Sequence, residues 1–212
     1  MSQFKNKWNG AKGVSFKERL DSLKPQEPLR MRLEQATRRI HAQITKLDTT
    51  LTRLKDRDSS LFRKVVAALQ IHDNQTALAL SNEIAEIRKI VKIVSQAKIA
   101  LEQIVLRLET VRDFGDLAVT LTPTVSIIKS IRSGLASIMP EAEHEISEIS
   151  GLLSSILVDA GQLGGLSLNF EAANEDAEKI LSEASAIAEQ RMKEKFPELP
   201  IPPSSSEESQ QT

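Results

Sequence analysis

The sequence predicts an all-α protein, with a long antiparallel helical hairpin followed by three shorter helices and a disordered C-terminal tail. Apolar residues recur at steps of three or four over the first half of the chain, which is the period of an amphipathic helix. Aromatic residues make up only 3% of the 212 residues, and glycines and prolines number eight each. A β-sandwich or barrel is therefore disfavoured.

The first long helix is predicted to begin at Leu29, after an irregular basic segment over residues 1–27. Its apolar seam continues for about forty residues, or roughly 60 Å at 1.5 Å per residue, and therefore needs a long helical partner. Asp58 lies in this seam where an apolar residue is expected. The seam consists of Leu29, Leu33, Ala36, Ile40, Ile44, Leu47, Leu51, Leu54, Leu61, Val65 and Ala68.

A polar turn at residues 72–76 separates this helix from a second one, with Asp73 or Asn74 as a candidate N-cap. The two helices form the predicted αα-hairpin, residues 28–112. A second row of apolar residues widens the stripe of the second helix, which therefore has more apolar surface than one partner helix can bury. This row consists of Ile90, Ile93, Ala97, Ile104 and Val111.

The pattern shortens after Phe114. Pro123 is placed at the start of a third helix, over about residues 124–139. Pro140 is placed at the start of a fourth helix, because proline suits the first helical position and acidic residues follow it, as the helix dipole favours. We expect the helical core to extend over residues 28–160.

The last fifty residues are predicted to be a regulatory region and a tail. Residues 161–195 form a flexible linker, the sequence GQLGG, and an acidic fifth helix that begins near residue 170. The helix stops at the proline-rich segment 196–203, which should lie on an accessible tip. Residues 204–212 have too few apolar side chains to fold.

The net charge of −1 conceals a strong asymmetry. Residues 1–64 carry 16 Lys and Arg against seven Asp and Glu, whereas residues 113–212 carry six against 17. This distribution predicts an anionic partner for the front half, or pairing between the two halves. We expect the acidic fifth helix to fold over the basic front half.

Several functional classes are disfavoured by the residues that the sequence lacks. Without cysteine there is no disulfide framework and no thiolate metal site. No stretch reaches the ~18 apolar residues of a membrane span, and the N-terminus lacks the apolar region of a secretory signal. The chain is therefore expected to be cytoplasmic, with at most peripheral membrane contact.

No enzymatic activity, metal or cofactor is predicted. The spacing Glu141-x-x-His144 occurs in di-iron helical bundles, but such centres need a second Glu-x-x-His pair that this sequence does not contain. We interpret the acidic residues at this end of the helix as helix-start charge: Glu141, Glu143, Glu145 and Glu148. The GQLGG sequence lacks the Lys-Ser/Thr of a phosphate-binding loop.

The basic N-terminal segment has the composition of an interfacial membrane anchor. Phe4 and Trp8 lie one helical turn apart among lysines, which would add up to ~1 kcal/mol each near an anionic surface. The alternative is a disordered leader whose aromatic residues pack back on the bundle. The predicted membrane-binding residues are Phe4, Lys5, Lys7, Trp8, Lys12, Phe16 and Lys17.

Alternating apolar residues and prolines in FPELPIPP, residues 196–203, favour an extended, pre-organised strand that loses little entropy on docking. The alternative is a helix stop followed by a linker. Phe196, Leu199 and Ile201 would be costly to expose in a linker, so we interpret the segment as a binding motif.

In their order along the chain, these features resemble the ESCRT-III family, and most closely the archaeal cell-division proteins of the CdvB type. The resemblance covers residues 15–203. FPELPIPP is similar to the family's proline-rich motif that binds the MIT domain of a AAA ATPase. The resemblance implies that the MIT domain is bound by Phe196, Pro197, Leu199, Pro200, Ile201 and Pro202. The chain lacks the winged-helix segment of the longer CdvB-type protein, so we expect a shorter paralogue.

The resemblance also implies a mechanism. Subunits would polymerise with themselves and with paralogous ESCRT-III subunits on the inner face of an anionic membrane, at the division site. The basic first helix would face lipid, and Ile90, Ile93 and Ile104 would contact the next subunit. Filaments or rings would constrict the neck during cell division. The ATPase would then extract subunits by their C-terminal motif.

Three alternatives are open at this stage. A non-ESCRT coiled-coil or BAR-like membrane scaffold would form a stable dimer and would need no C-terminal motif. A nucleic-acid-binding protein would use the basic front half, but the sequence has no recognition module and its acidic half would repel phosphate. An enzyme with an unrecognised site is the third.

Overall fold

The computed structural model of the chain describes residues 28–111, 114–164 and 170–200. Within these residues it contains five helices and no strand, which confirms the predicted all-α fold. The N-terminal segment and the tail, 204–212, lie outside the described residues. The helices are α1 (Leu29–Gln70), α2 (Asn74–Glu109), α3 (Phe114–Leu135), α4 (Pro140–Gly164) and α5 (Phe170–Lys195).

Helices α1 and α2 form the predicted antiparallel hairpin, with 42 and 36 residues respectively. Near the turn, Arg57 pairs with Glu83 at 2.5 Å. Farther from the turn, Lys98 pairs with Asp48. The opposite order of these pairs along the two helices shows that α1 and α2 are antiparallel.

The turn between α1 and α2 is closed by an N-cap. The Asp73 carboxylate accepts a hydrogen bond from the Thr76 backbone N–H at 3.0 Å. Hydrogen bonding from Thr76, by its side chain and its backbone, lowers the pKa of Asp73. His72 takes a positive φ of 57° just before the cap, so the strain of the reversal is placed on one residue.

The shorter helices cover the hairpin unevenly. Helix α4 packs on α1, whereas α3 and α5 pack on α2, and α3 also contacts α4 and α5. All five helices contribute to a main core beside the half of the hairpin that is distant from the turn. A smaller group of buried residues, the turn cluster, fills the other half. The turn cluster consists of Leu61, Val65, Ala68, Ala77, Ile84, Ile87 and Val91.

The predicted start of α3 at Pro123 is wrong, because the helix begins at Phe114 and contains this proline. A proline inside a helix removes one backbone hydrogen bond. Leu121 and Ile127, one on each side of Pro123, are fully buried, so continuous packing offsets that loss. The Thr124 hydroxyl also donates to the Thr120 carbonyl oxygen at 2.7 Å.

The linker predicted at residues 161–165 is also misplaced, since α4 continues to Gly164. The last turns of α4 are held by Ile156 and Ala160, which are fully buried. Burial of these side chains therefore outweighs the helix-weakening effect of glycine, about 1 kcal/mol per residue.

Candidate functional site

The predicted partner-binding segment begins where α5 ends, at Lys195. Pro197 ends the helix because proline has no N–H and disfavours a helical conformation in the residue before it. The Phe196 N–H still donates to the Met192 carbonyl oxygen at 3.0 Å, which holds Phe196 at the last turn of α5. Ile201 and Pro202 lie outside the described residues.

Phe196 and Leu199 pack against the turn cluster of the hairpin. Both are half-buried, whereas Pro197 and Glu198 between them are exposed. The described part of the segment is therefore docked on the chain itself, which differs from the accessible tip that the sequence predicts.

Arg88 of α2 is the polar centre of this docking site. Its Nε donates to Asp58 Oδ1 at 2.7 Å, and its Nη2 lies 3.3 Å from Asp58 Oδ2. Its Nη1 donates to the Pro197 carbonyl oxygen at 2.7 Å. Its guanidinium carbon lies 5.4 Å from the centroid of the Phe196 ring, within cation–π range. One side chain thus joins both helices of the hairpin to the C-terminal segment.

Asp58 explains the irregularity in the apolar seam of α1. It is only 2% exposed, and its partner Arg88 is 16% exposed. A carboxylate at such a position needs a paired cation with good hydrogen-bond geometry. The fork of the arginine meets this need bidentately, and Asp58 in turn fixes the direction in which Arg88 points.

The apolar row predicted as a polymer interface is covered in this conformation. Ile104 is fully buried, and Ile90 and Ile93 are half-buried against the main core. A groove next to Ile93 is lined by residues of α2, α3 and α5 together, including Ala184 of α5. The surplus apolar surface of α2 is therefore buried by the shorter helices of the same chain.

The basic front half and the acidic rear half do pair, but mainly through α4. Three cations of α1 at intervals of seven residues face three acidic residues of α4. The pairs are Arg32–Asp159, Arg39–Glu148 at 2.9 Å and Lys46–Glu145 at 3.2 Å. The expectation that α5 covers the front half is corrected, since α5 lies on α2 and α4 covers α1.

Helix α5 makes its own polar contacts with α2. Lys92 Nζ lies 2.6 Å from Glu189 Oε1. This hydrogen bond, together with the charge of Lys92, lowers the pKa of Glu189. Gln96 Nε2 donates to Ser185 Oγ at 2.8 Å, one turn along α5.

His144, the histidine of the Glu-x-x-His spacing, lies in the first turns of α4. His144 Nε2 lies 3.6 Å from Glu148 Oε1, and no group of three or more His, Asp or Glu side chains that could hold a metal occurs among these residues. No helix in the same part of the chain is long and apolar enough to cross a membrane. The predicted membrane-binding residues, from Phe4 to Lys17, lie outside the described residues.

Comparison with known proteins identifies the family. The chain is 39% identical over 198 residues to cell division protein B1 of Sulfolobus acidocaldarius, a match that covers 93% of this chain and 90% of that protein. The chain belongs to the CdvB-type ESCRT-III proteins.

A second CdvB-type relative, cell division protein B of the same organism, is 32% identical over 166 residues. The match covers 78% of this chain and 64% of that protein. No family model and no solved structure matches the chain. Membership of the CdvB-type family sets aside the non-ESCRT scaffold as an interpretation.

Sequence reasoning missed Arg88 as a site residue of this CdvB-type protein. The signal that was available is Asp58, a charge in an otherwise apolar seam, because a buried charge requires a partner on a facing helix. The antiparallel register of the hairpin limits that partner to a few positions of α2. The contact with the C-terminal segment carries no comparable signal in the sequence.

Proposed function

We propose that this CdvB-type protein is a subunit of a membrane-remodelling polymer in archaeal cell division. The observation that carries the proposal is the similarity to cell division protein B1 along 93% of the chain. Filaments or rings of this subunit and its paralogues would form on the cytoplasmic face of the membrane at the division site. Their constriction would narrow the membrane neck.

Assembly requires a rearrangement of α5 in this proposal. Ile90 and Ile93, the proposed contacts to the next subunit, are half-buried, and Ile104 lies deeper in the same row. Displacement of α5 from α2 would expose part of this row together with the small residues around it. The chain with α5 packed on α2 would then be the inactive form, and the chain with α5 displaced would be the polymerising form.

Membrane contact is assigned to the N-terminal segment in this proposal. Its aromatic residues Phe4, Trp8 and Phe16 would enter the headgroup region, while Lys5, Lys7, Lys12 and Lys17 would attract anionic lipid. The pairing of three α1 cations with α4 supports a role for this separate basic segment, because those cations are already engaged.

Disassembly is assigned to a AAA ATPase that binds the C-terminal motif through its MIT domain. Within the described residues, the motif follows α5 directly and lies at the protein surface, with Pro197 and Glu198 exposed. Since the sequence has no phosphate-binding loop, the energy for remodelling would come from this partner. No cofactor is required of the chain itself.

Electron microscopy of the purified chain, alone and with anionic or zwitterionic vesicles, tests the proposal. We expect filaments, rings or coated tubes with anionic vesicles and fewer with zwitterionic ones. A stable dimer that ignores both kinds of vesicle, and that forms no filament with paralogous subunits, would contradict it.

A further inference from the structure

We propose that the hairpin surface around Arg88 is a binding site for the chain's own segment Phe196–Leu199, and that it competes with the MIT domain for this segment. The binding site stands on the contacts described above. The competition rests on the proposed function, since it needs the MIT domain as the second partner.

The contacts at the site match the chemistry of a Phe-Pro-x-Leu segment. The guanidinium of Arg88 faces the ring of Phe196, and its Nη1 binds the Pro197 carbonyl oxygen. Proline has no N–H, so this carbonyl is the one backbone hydrogen-bonding group at that residue. Leu199 adds an apolar contact with the turn cluster three residues after the ring.

The site is pre-organised by Asp58. Two of the donor groups of Arg88 are fixed on the Asp58 carboxylate, which leaves Nη1 and the face of the guanidinium directed at the segment. A buried ion pair is often no more stabilising than an apolar pair of similar volume. A gain in stability therefore does not explain why this seam contains an ion pair. Recognition of the segment by Arg88 does explain it.

The contacts of the segment with the hairpin allow it to detach. Phe196 and Leu199 keep part of their surface in solvent. An open groove of about 580 Å³ lies beside Pro197 and is lined by Asp58, Phe62 and other residues of α1. Few buried apolar contacts and an exposed backbone are features of segments that open locally at low free-energy cost.

The same residues cannot occupy both sites at once. The resemblance to the family assigns Phe196, Pro197 and Leu199 to the MIT domain, and these residues provide the contacts with the hairpin. The apparent affinity of the MIT domain is then reduced by the fraction of chains in which the segment is undocked. The hairpin thereby sets how readily the ATPase engages a subunit.

The absence of cysteine from the chain allows a direct test of docking. A Leu199→Cys chain carries one thiol, whose rate of reaction with a soluble disulfide reagent reports whether the segment is docked. We expect Arg88→Ala to raise this rate at least about threefold, as a local opening does. Arg57→Ala, which breaks an exposed ion pair on the same hairpin, should leave it unchanged.

A second variant covers the case in which Arg88→Ala fails to fold. Phe196→Ala leaves the Asp58–Arg88 pair intact and should also raise the rate at Leu199→Cys. A Glu198→Cys chain provides the rate for an exposed thiol in the same segment. The Leu199→Cys chain is compared with the same chain carrying Arg88→Ala or Phe196→Ala in addition. If the thiol reacts at the same rate in all of these chains that fold, the docking site is overturned.

Competition is tested by titrating the MIT domain with three ligands: a peptide of residues 193–204, the full chain and the full Arg88→Ala chain. We expect the full chain to bind about tenfold more weakly than the peptide, which corresponds to a docked fraction of about 90%. The Arg88→Ala chain should recover most of that loss. Equal affinity of the two chains would overturn the competition, whereas a peptide that does not bind would refute the partner and leave the docking site standing.

Discussion

Lys92 of α2 and Glu189 of α5 form an ion pair, with the ammonium nitrogen 2.6 Å from the carboxylate oxygen. On the same helix as Glu189, Ala184 and Ala188 are fully buried. Small side chains let α5 approach α2 closely, and the polar pair at the edge fixes its register. Attachment of α5 therefore depends on this strip of small residues, on larger apolar side chains such as Ile180, which is 2% exposed, and on a few exposed polar contacts.

A charge in this strip should open the chain. Ala184→Glu places a carboxylate in the contact of α5 with α2 and α3, and burying an unpaired charge is costly. We expect faster filament formation in electron microscopy and a heavier species in sedimentation. Ala186→Glu is the matched control, because Ala186 is exposed on the same helix. Should Ala184→Glu remain as monomeric as the parent chain, release of α5 is not the switch.

Acid should weaken the attachment of α5. Lys92 lowers the pKa of Glu189 below its ordinary value of about 4.3, so the pair stabilises the fold above that pH and loses its effect as the pH falls through the lower, folded-state pKa. In Glu189→Gln, the opening free energy of α5, taken from hydrogen exchange after correction for the intrinsic rate at each pH, should fall less between about pH 6 and 3 than it does in the parent chain. Glu194→Gln, whose parent carboxylate contacts only Gln190 of the same helix among the hydrogen bonds described, should keep it. Identical pH profiles would refute the role of the pair.

Breaking the Asp58–Arg88 pair should cost far more stability than breaking an exposed ion pair of the same hairpin. Arg88→Ala leaves a buried carboxylate without its partner and should lower the free energy of unfolding by about 3 to 5 kcal/mol. Arg57→Ala should cost less than about 1 kcal/mol, because its pair with Glu83 is exposed. Urea titration measures both values.

A double substitution separates pairing from packing at this position. Asp58→Leu combined with Arg88→Leu should recover most of the stability, since two apolar side chains can replace a buried ion pair. A double variant as unstable as Arg88→Ala alone would show that shape, and not charge, determines the loss.

The MIT domain should recognise Leu199 in a peptide of the isolated motif. A peptide of residues 193–204 should bind with micromolar affinity, about −8 kcal/mol. Leu199→Asp should abolish binding by placing a charge in an apolar groove, while Glu198→Ala should bind like the parent. In assembly assays, full-length Leu199→Asp filaments should persist in the presence of the ATPase. Saturable binding of the Leu199→Asp peptide with parent affinity would exclude this motif.

Phe4 and Trp8 should supply the apolar part of membrane binding. Replacing both with alanine should reduce co-sedimentation with anionic vesicles without changing helicity by circular dichroism. Added salt should weaken the remaining, lysine-driven binding of the variant. Undiminished sedimentation of the double variant would assign membrane contact to another part of the chain.

The periodic elements could be predicted from sequence because their signals are local. The apolar steps from Leu29 onward, the cap at Asp73 and the acidic start after Pro140 each act within one or two turns of helix. Pro123 and Gly161 misled the prediction for the opposite reason. Their helix-breaking tendency is local, but it is outweighed by packing against helices far away in the sequence, which no local pattern reveals.

Only part of the candidate site could be predicted from the sequence, because the rest depends on contacts between residues that are far apart along the chain. The apolar and proline residues of 196–203 indicate a binding segment, whereas its contact with Arg88 joins residues 109 positions apart. Likewise, the charge asymmetry predicts pairing of the two halves but not which acidic helix meets α1. That choice follows from the antiparallel packing of α4 on α1, which places Glu145 opposite Lys46 and Asp159 opposite Arg32.

The row of ion pairs between α1 and α4 has a consequence for behaviour on heating. The desolvation cost of charged groups falls as temperature rises, while the gain from apolar burial levels off. Helix α4, with its three pairs to α1, should therefore hold its place better in hot solution than α5, which has one such pair to α2 among the contacts described. Warming should then loosen α5 first and leave the rest of the bundle intact. If release of α5 permits assembly, as proposed above, readiness to assemble should increase with temperature.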